Sequence, residues 1–344
     1  MEIIDYRSDT LTQPTEAMRR ALAEAEVGDD VFDEDPTVHR LQALAAEKTG
    51  KPAALFVPSG TMGNLVSLLT HCQRGDEIIL GQRSHIFVNE VGGLAALGGI
   101  HPHPIANRED GTLDLNQIEA AIRKADVHFP PTRLICLENT HNYCGGYPLT
   151  AEYMAQVREL ADRHGLGIHL DGARIFNAAV ALGVEVPALT RDADTVMFSL
   201  SKGLSAPVGS LVCGSKEWVL QARKWRKMVG GGMRQAGVLA AAGIEALTHH
   251  PDRLTQDHQN AQTLAQGLRA TPGIHIDCDR VHTNILFFKL DHPAMGAQAL
   301  LDYLNGKGIR ILQLADGVFR AVVHRHITAE MVATTLKTLR EVLK

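Results

Sequence analysis

Cysteine is scarce in this chain. Its five thiols, Cys72, Cys136, Cys144, Cys213 and Cys278, are scattered and form no C-x-x-C pair, which argues against a disulfide framework or a zinc knuckle. No uninterrupted apolar run is long enough to cross a membrane. The first residues, MEIIDYRSDT, are charged and lack the apolar core of a signal peptide, so a cytoplasmic location is expected. Neither sign of charge dominates: 34 basic residues stand against 39 acidic ones, a formal net charge of -5. That balance argues against a nucleic-acid or anionic-membrane partner. Internal repeats and low-complexity tracts are also missing. What remains, 344 residues with 45% apolar and 21% charged, is an ordinary globular composition with length enough for two domains.

Short apolar runs alternate with helical patterns through most of the chain. PAALFVP precedes the helical MGNLVSLLTHC, and DEIILG precedes HIFVNEVGGLAALGG. TRLICLEN leads through a glycine-rich loop to AEYMAQVRELADRHG, LGIHLDG precedes RIFNAAVALG, and DTVMFSLS precedes a lysine loop and SLVCGS. Buried strands separated by crossover helices imply an α/β fold with a mostly parallel sheet covered on both faces. After about Leu247 the order changes to GIHID, TNILFFKL, IRILQ and VFRAVVH with flanking helices, the pattern of a small α+β domain. The expected division is a large domain over residues 1–247, including an N-terminal arm, and a small domain over 248–344.

SLSKGLSAPVGS places Lys202 just beyond a buried strand, among small residues and with no charge nearby. Such a lysine either snorkels to water or sits desolvated, where it loses its proton or takes a covalent partner. Asp171, in LGIHLDGAR, follows another buried strand and belongs at the same carboxyl edge, where open α/β sheets bind ligands. It pairs either with Arg174 or with a protonated pyridine nitrogen. PSGTMGN brings Ser59, Gly60 and Thr61 to a helix start, whose N–H groups and dipole suit a phosphate. Ser199 and Lys202 can reach the same group. His85, in GQRSHIFVNE, either caps a helix or lies flat over a ring. One ligand accounts for all of these, pyridoxal 5'-phosphate: a Schiff base on the lysine, an aspartate on the ring nitrogen and a glycine turn on the phosphate.

With these residues in place, the chain resembles the low-specificity L-threonine aldolases, in the aspartate-aminotransferase fold class of pyridoxal-phosphate enzymes (fold type I). The resemblance runs through RSDTLTQPT, VGDDVFDEDPTV, FVPSGTMGN, LENTHN, HLDGARIFNA, SLSKGLSAPVGS and MVGGGMRQAG, nearly the whole length. It implies Lys202 as the Schiff-base lysine, Asp171 on the pyridine nitrogen, His85 stacked on the ring, and Gly60 and Thr61 at the phosphate. It further implies Arg174 near the substrate carboxylate and the cofactor's phenolic oxygen, with Ser8 and Arg320 as the other carboxylate-binding residues. His128, in DVHFPPTR, matches the histidine near the substrate's hydroxyl, and Arg234, in GGGMRQ, an arginine reaching a phosphate across a subunit interface. A homo-oligomer follows, a dimer with shared sites assembled into a tetramer. The implied activity is reversible cleavage of L-threonine or L-allo-threonine to glycine and acetaldehyde, and of related β-hydroxy-α-amino acids to glycine and an aldehyde.

Physical chemistry weighs each assignment separately. An amino-acid carboxylate suits the arginine fork. Arg320 lies mid-strand between apolar residues, where it is either a carboxylate anchor or half of a buried ion pair. A base must take the β-hydroxyl proton, and His128, a structural histidine otherwise, or a water can do so. The basic stretch ARKWRKMVGGGMRQ is too short for a nucleic-acid patch and reads as a solvated face or a subunit contact. His101/His103 and His324/His326 have H-x-H spacing but no clear third ligand, so no metal is expected. Asn89 stands where the family has an aromatic residue, Asp33 where it has glycine, and THNYCGGYP departs from the common loop. A β-eliminating lyase or an aminotransferase would use the same Lys–Asp pair, and a non-catalytic binding protein of the same fold is the remaining alternative.

Overall fold

The structure, a computed structural model, describes residues 3–344. Thirteen strands appear among them: β1 (Ile4–Asp5), β2 (Ala53–Val57), β3 (Glu77–Gly81), β4 (His101–Ile105), β5 (Thr132–Glu138), β6 (Gly167–Asp171), β7 (Thr195–Ser199), β8 (Ser210–Gly214), β9 (Ile274–His275), β10 (Ile285–Leu290), β11 (Ile309–Arg310), β12 (Leu312–Ala315) and β13 (Val318–Val322). The main sheet has seven strands in the order β2-β8-β7-β6-β5-β3-β4. Only β8 runs against its neighbours. β3, β7 and β8 are buried along their whole length and largely apolar, as expected where helices cover both faces. β4, HPHPI, carries two prolines and lies at the edge, the place where a missing N–H costs no ladder bond.

A second sheet, β12-β13-β10-β9, is antiparallel. Its apolar face and the Leu254–Arg269 and Ala329–Val342 helices enclose a separate hydrophobic cluster. Ile4 and Tyr6, which the sequence reading leaves with the first 247 residues, belong to this second cluster, because β1 pairs in parallel with β11. β1 and β11 form a two-stranded sheet of their own beside that cluster, and from there the chain crosses the site region before entering the large sheet.

Two local features differ from the sequence expectation. HIFVNEVGGLAALGG is not one helix but two short turns, His85–Val88 and Gly93–Ala96. Val91 and Gly92 both take positive φ between them, which ends the first turn. Asp33 stands at φ 66°, the left-handed region in which glycine is strain-free, which explains the family's preference there; here the aspartate is held by Arg223 at 2.8 Å. All five cysteines are buried free thiols. No helix among the described residues is long and apolar enough to cross a membrane.

Candidate active site

Parallel register collects the chemistry at one edge. Glu138 and Asp171 end β5 and β6 side by side. Ser199 ends β7 opposite Ser210, and Val57, the last residue of β2, faces Ser210 from the other side. Because β8 is antiparallel, its first residue shares the edge with its neighbours' last ones. Lys202 follows in a loop pinned by its own carbonyl, which accepts from Ser205 N at 2.9 Å and from Thr12 Oγ1 at 2.8 Å. Gly209 closes that loop at φ 102°, with Phe56 where a Cβ would go, so only glycine fits.

The Lys202 ammonium has no ion pair among the described residues. Desolvation, reinforced by the charge of Arg174, lowers its pKa against the opposing pull of Asp9, Asp171 and Glu138. An amine so placed is readied as a nucleophile. Asp171 is buried, accepts from Asn64 Nδ2 at 2.9 Å and Ala173 N at 3.1 Å, and pairs with no cation; burial raises its pKa, with Glu138 adding to the rise. The alternative in which Arg174 is its structural partner does not hold. Arg174 instead forms a two-pronged pair with Asp9, both bonds 2.7 Å, leaving Nη1 without a hydrogen bond among the described residues.

His85 opens its short turn with its N–H on Glu138 Oε2 at 2.7 Å and its Nδ1 on Glu90 Oε1 at 2.8 Å. The bond to Glu90 raises the histidine's pKa despite burial. His85, Glu90 and Asp171 each offer a ligand atom within 4.8 Å of the others. Asn64 joins them, since its Nδ2 also donates to Glu90 Oε1 at 2.8 Å.

Ser59 caps the Gly60–His71 helix through Met62 N, leaving its first turn, with Thr61, open. Ser210 Oγ is buried and unpartnered, and lies 3.6 Å from the place of a Cβ on Gly60. Ser199 Oγ is 3.4 Å from Ser201 Oγ. Arg320, on β13, reaches in from the small sheet. Its Nη2 donates to Asn142 Oδ1 at 2.8 Å and its Nη1 to the Arg7 carbonyl at 3.2 Å, while Nε is buried without a partner. No carboxylate pairs with it among the described residues, so it is not half of a buried ion pair; burial pushes its pKa down to about 10, which leaves it cationic. Ser8 caps the Asp9–Leu11 turn beside it in sequence, its Oγ accepting from Thr10.

Two expected residues stay outside this cluster within one chain. His128 is exposed on the loop before β5, paired with Asp126 at 2.7 Å. It lies at the amino end of a seven-residue strand whose carboxyl end carries Glu138, about 20 Å away at strand rise. Arg234 is exposed and paired with Asp29 at 3.2 Å. Conversely, Asp9, Asn64, Glu90, Glu138, Asn142 and Ser210 take part without having been singled out. Asp9, Glu90 and Glu138 stood inside the RSDT, NEVGG and LENTHN segments, but nothing in a linear pattern says which carboxylate meets which cation. Two of the three departures from the family meet in space: Asn89 Nδ2 donates to Tyr143 Oη at 3.1 Å, joining the His85 turn to the loop that holds Arg320.

This architecture is fold type I. The threonine aldolase of Leishmania major superposes with a TM-score of 0.84 at 19% identity, covering 99% of this chain and all of that one. Sphingomonas wittichii serine palmitoyltransferase superposes at 0.76, covering 98% and 86%. Residues 5–292 match the beta-eliminating lyase family. A probable low-specificity L-threonine aldolase 2 of Arabidopsis thaliana is 50% identical over 329 residues, 94% of this chain and 93% of its own. The low specificity L-threonine aldolase of Escherichia coli K12 is 46% identical over 331 residues, 96% of each. The chain belongs to the beta-eliminating lyase family, on its low-specificity L-threonine aldolase branch.

Proposed function

We propose that the protein is a cytoplasmic lyase that cleaves L-threonine, L-allo-threonine and related β-hydroxy-α-amino acids reversibly to glycine and an aldehyde, with pyridoxal phosphate as cofactor. The residues fit that group. Among the described residues, Asp171 is a buried carboxylate without a cation, Ser210 a buried hydroxyl without a partner beside an open helix start, and Lys202 an ammonium without a counter-ion. Lys202 would hold the aldehyde carbon, Asp171 the ring nitrogen, His85 the ring face, and Gly60, Thr61, Ser199 and Ser210 the phosphate. Bound there, pyridoxal phosphate would supply a conjugated sink for the electron pair that cleavage of the Cα–Cβ bond leaves on Cα.

The protein's own groups do the rest. Arg320, Arg174 through Nη1, and Ser8 bind the substrate carboxylate, which chooses the Cα bond that faces the sink. Asp171 keeps a proton on the ring nitrogen. His85 Nε2, free because Nδ1 is committed to Glu90, takes the β-hydroxyl proton directly or through a water. The observation that carries this reading is Arg320: a buried cation that lacks a carboxylate and acts on the same buried Asp9 as Arg174 and Lys202 do.

His128 and Arg234, exposed and outside the cluster, would serve the site of a second copy. Exposed Val91 and Leu97, which line a cavity together with Thr61, and exposed Phe87 and Val88 on the same segment support a homo-oligomer with shared sites, a dimer or tetramer. Incubation with L-threonine and L-allo-threonine tests the function. Equal amounts of acetaldehyde and glycine, abolished by Lys202→Ala, are expected. An oxo acid in their place would move the reading to an eliminating lyase or aminotransferase, and cofactor binding without turnover would move it to a binding protein.

A further inference from the structure

A chain of polar side chains runs from behind the sheet to the two carboxylates of the site. His71 Nε2 lies 2.8 Å from Thr195 Oγ1, which lies 2.9 Å from His169 Nδ1. His169 Nε2 is 3.1 Å from Asn64 Oδ1, and Asn64 Nδ2 serves both Asp171 and Glu90. His169, Thr195 and Asn64 are almost completely buried.

The direction of every bond follows from the carboxylate end. Two carboxylate oxygens face one atom of Asn64, so that atom is the amide nitrogen, giving one N–H to each. Asn64 Oδ1 then faces His169 Nε2 and needs a donor. Burial pushes the pKa of His169 down to about 3 and that of His71 down to about 4, so both rings are neutral and carry one N–H each. His169 therefore carries its proton on Nε2, and its Nδ1 accepts from the Thr195 hydroxyl. Thr195 Oγ1 in turn accepts from His71 Nε2–H. The reverse tautomer of His169 would set a nitrogen lone pair against Asn64 Oδ1. All donors point toward the active site.

We propose that His71, Thr195, His169 and Asn64 are positioning residues that lock the Asn64 amide with both N–H groups on Asp171 and Glu90. The lock ties the carboxylate meant for the ring nitrogen to the carboxylate that orients His85, so the two cofactor contacts are set by one side chain. Without it the amide is free to rotate and turn its oxygen toward two buried carboxylates, where it repels both. The inference rests on the proposed cofactor.

The experiment measures pyridoxal phosphate binding to the apoprotein, by tryptophan fluorescence, and the pH titration of the bound cofactor's visible band. Glutamine at position 169 carries an N–H near the imidazole Nε2 position and asparagine only near Nδ1, so His169→Gln preserves the donor to Asn64 and His169→Asn does not. His169→Asn should bind about tenfold more weakly than the wild type, with His169→Gln recovering most of the loss. The band midpoint should rise in His169→Asn but not in His169→Gln, because a ring less firmly protonated by Asp171 draws the titrating proton more strongly. Thr195→Val, a substitution suited to a buried strand, should weaken binding and raise the midpoint in the same direction. Equal affinities and unmoved midpoints in the histidine variants, or in Thr195→Val if those do not fold, would overturn the inference. Failure of the wild-type protein to bind pyridoxal phosphate would instead overturn the proposed function.

Discussion

Asp9 offers the sharpest test of how the site is held together, since it is a fully buried carboxylate with three cations acting on it. Its two 2.7 Å bonds to Arg174 are joined by a 3.3 Å bond from Asn284 Nδ2. Asp9→Asn keeps the shape and removes the charge. Arg174 would then be buried without a counter-ion at hydrogen-bond distance and would face the positive charges of Lys202 and Arg320. Breaking a buried pair from one side costs about 3–5 kcal/mol, against about 0–1 kcal/mol for an exposed pair. Urea unfolding of the apoprotein at neutral pH should therefore show a loss of about 3–5 kcal/mol.

The pH dependence adds a second signature. Despite its burial, Asp9 is held well below the ordinary carboxyl range, chiefly by the Arg174 charge. A depressed native pKa contributes stability above the unfolded value, about 4, that is lost as pH falls toward the native one. Wild-type stability should fall through that acidic window, and Asp9→Asn should lose this site's share of the slope. A loss under about 1 kcal/mol with an unchanged acid slope would refute the claim that this pair holds the N-terminal arm to the sheet edge.

Arg320→Lys keeps the charge but loses the fork shared among Asn142, the Arg7 carbonyl and the substrate, so steady-state kcat/KM should fall roughly 10–100-fold, mostly through KM. Unchanged KM would place the substrate carboxylate elsewhere. Glu90→Gln removes the bond that raises the His85 pKa; with His85 as the proposed base, which must be deprotonated, the acid limb of the kcat/KM profile should move to lower pH, and an unmoved limb would remove His85 as the base. Ser210→Ala should leave apoprotein stability unchanged or raise it, because the buried hydroxyl has no partner, while weakening pyridoxal phosphate binding about tenfold. A stability loss with unaltered binding would show that the hydroxyl serves the fold alone.

Much of this protein was legible before any coordinates. Apolar runs broken by helical periods define the alternating α/β order, because a strand covered on both faces must be apolar throughout. Asp171 ends such a strand and Lys202 and Gly60 stand three residues beyond one, and parallel strands end at one edge by construction, so their meeting followed from local pattern. The His85 segment was misread as a longer helix, since periodicity does not reveal the positive φ of Val91.

The pairing of charges was decided only in three dimensions. Asp9 meets Arg174 from 165 positions away, and Arg320 arrives from another sheet to take Asn142. His128 illustrates the converse: its motif is intact, yet its loop enters β5 from the amino end, away from the site of its own chain. Strand order and burial are properties of a chain's local apolar pattern. Which carboxylate faces which cation depends on the register and docking of segments distant in sequence, where short-range charge interactions are strong only once water has been excluded.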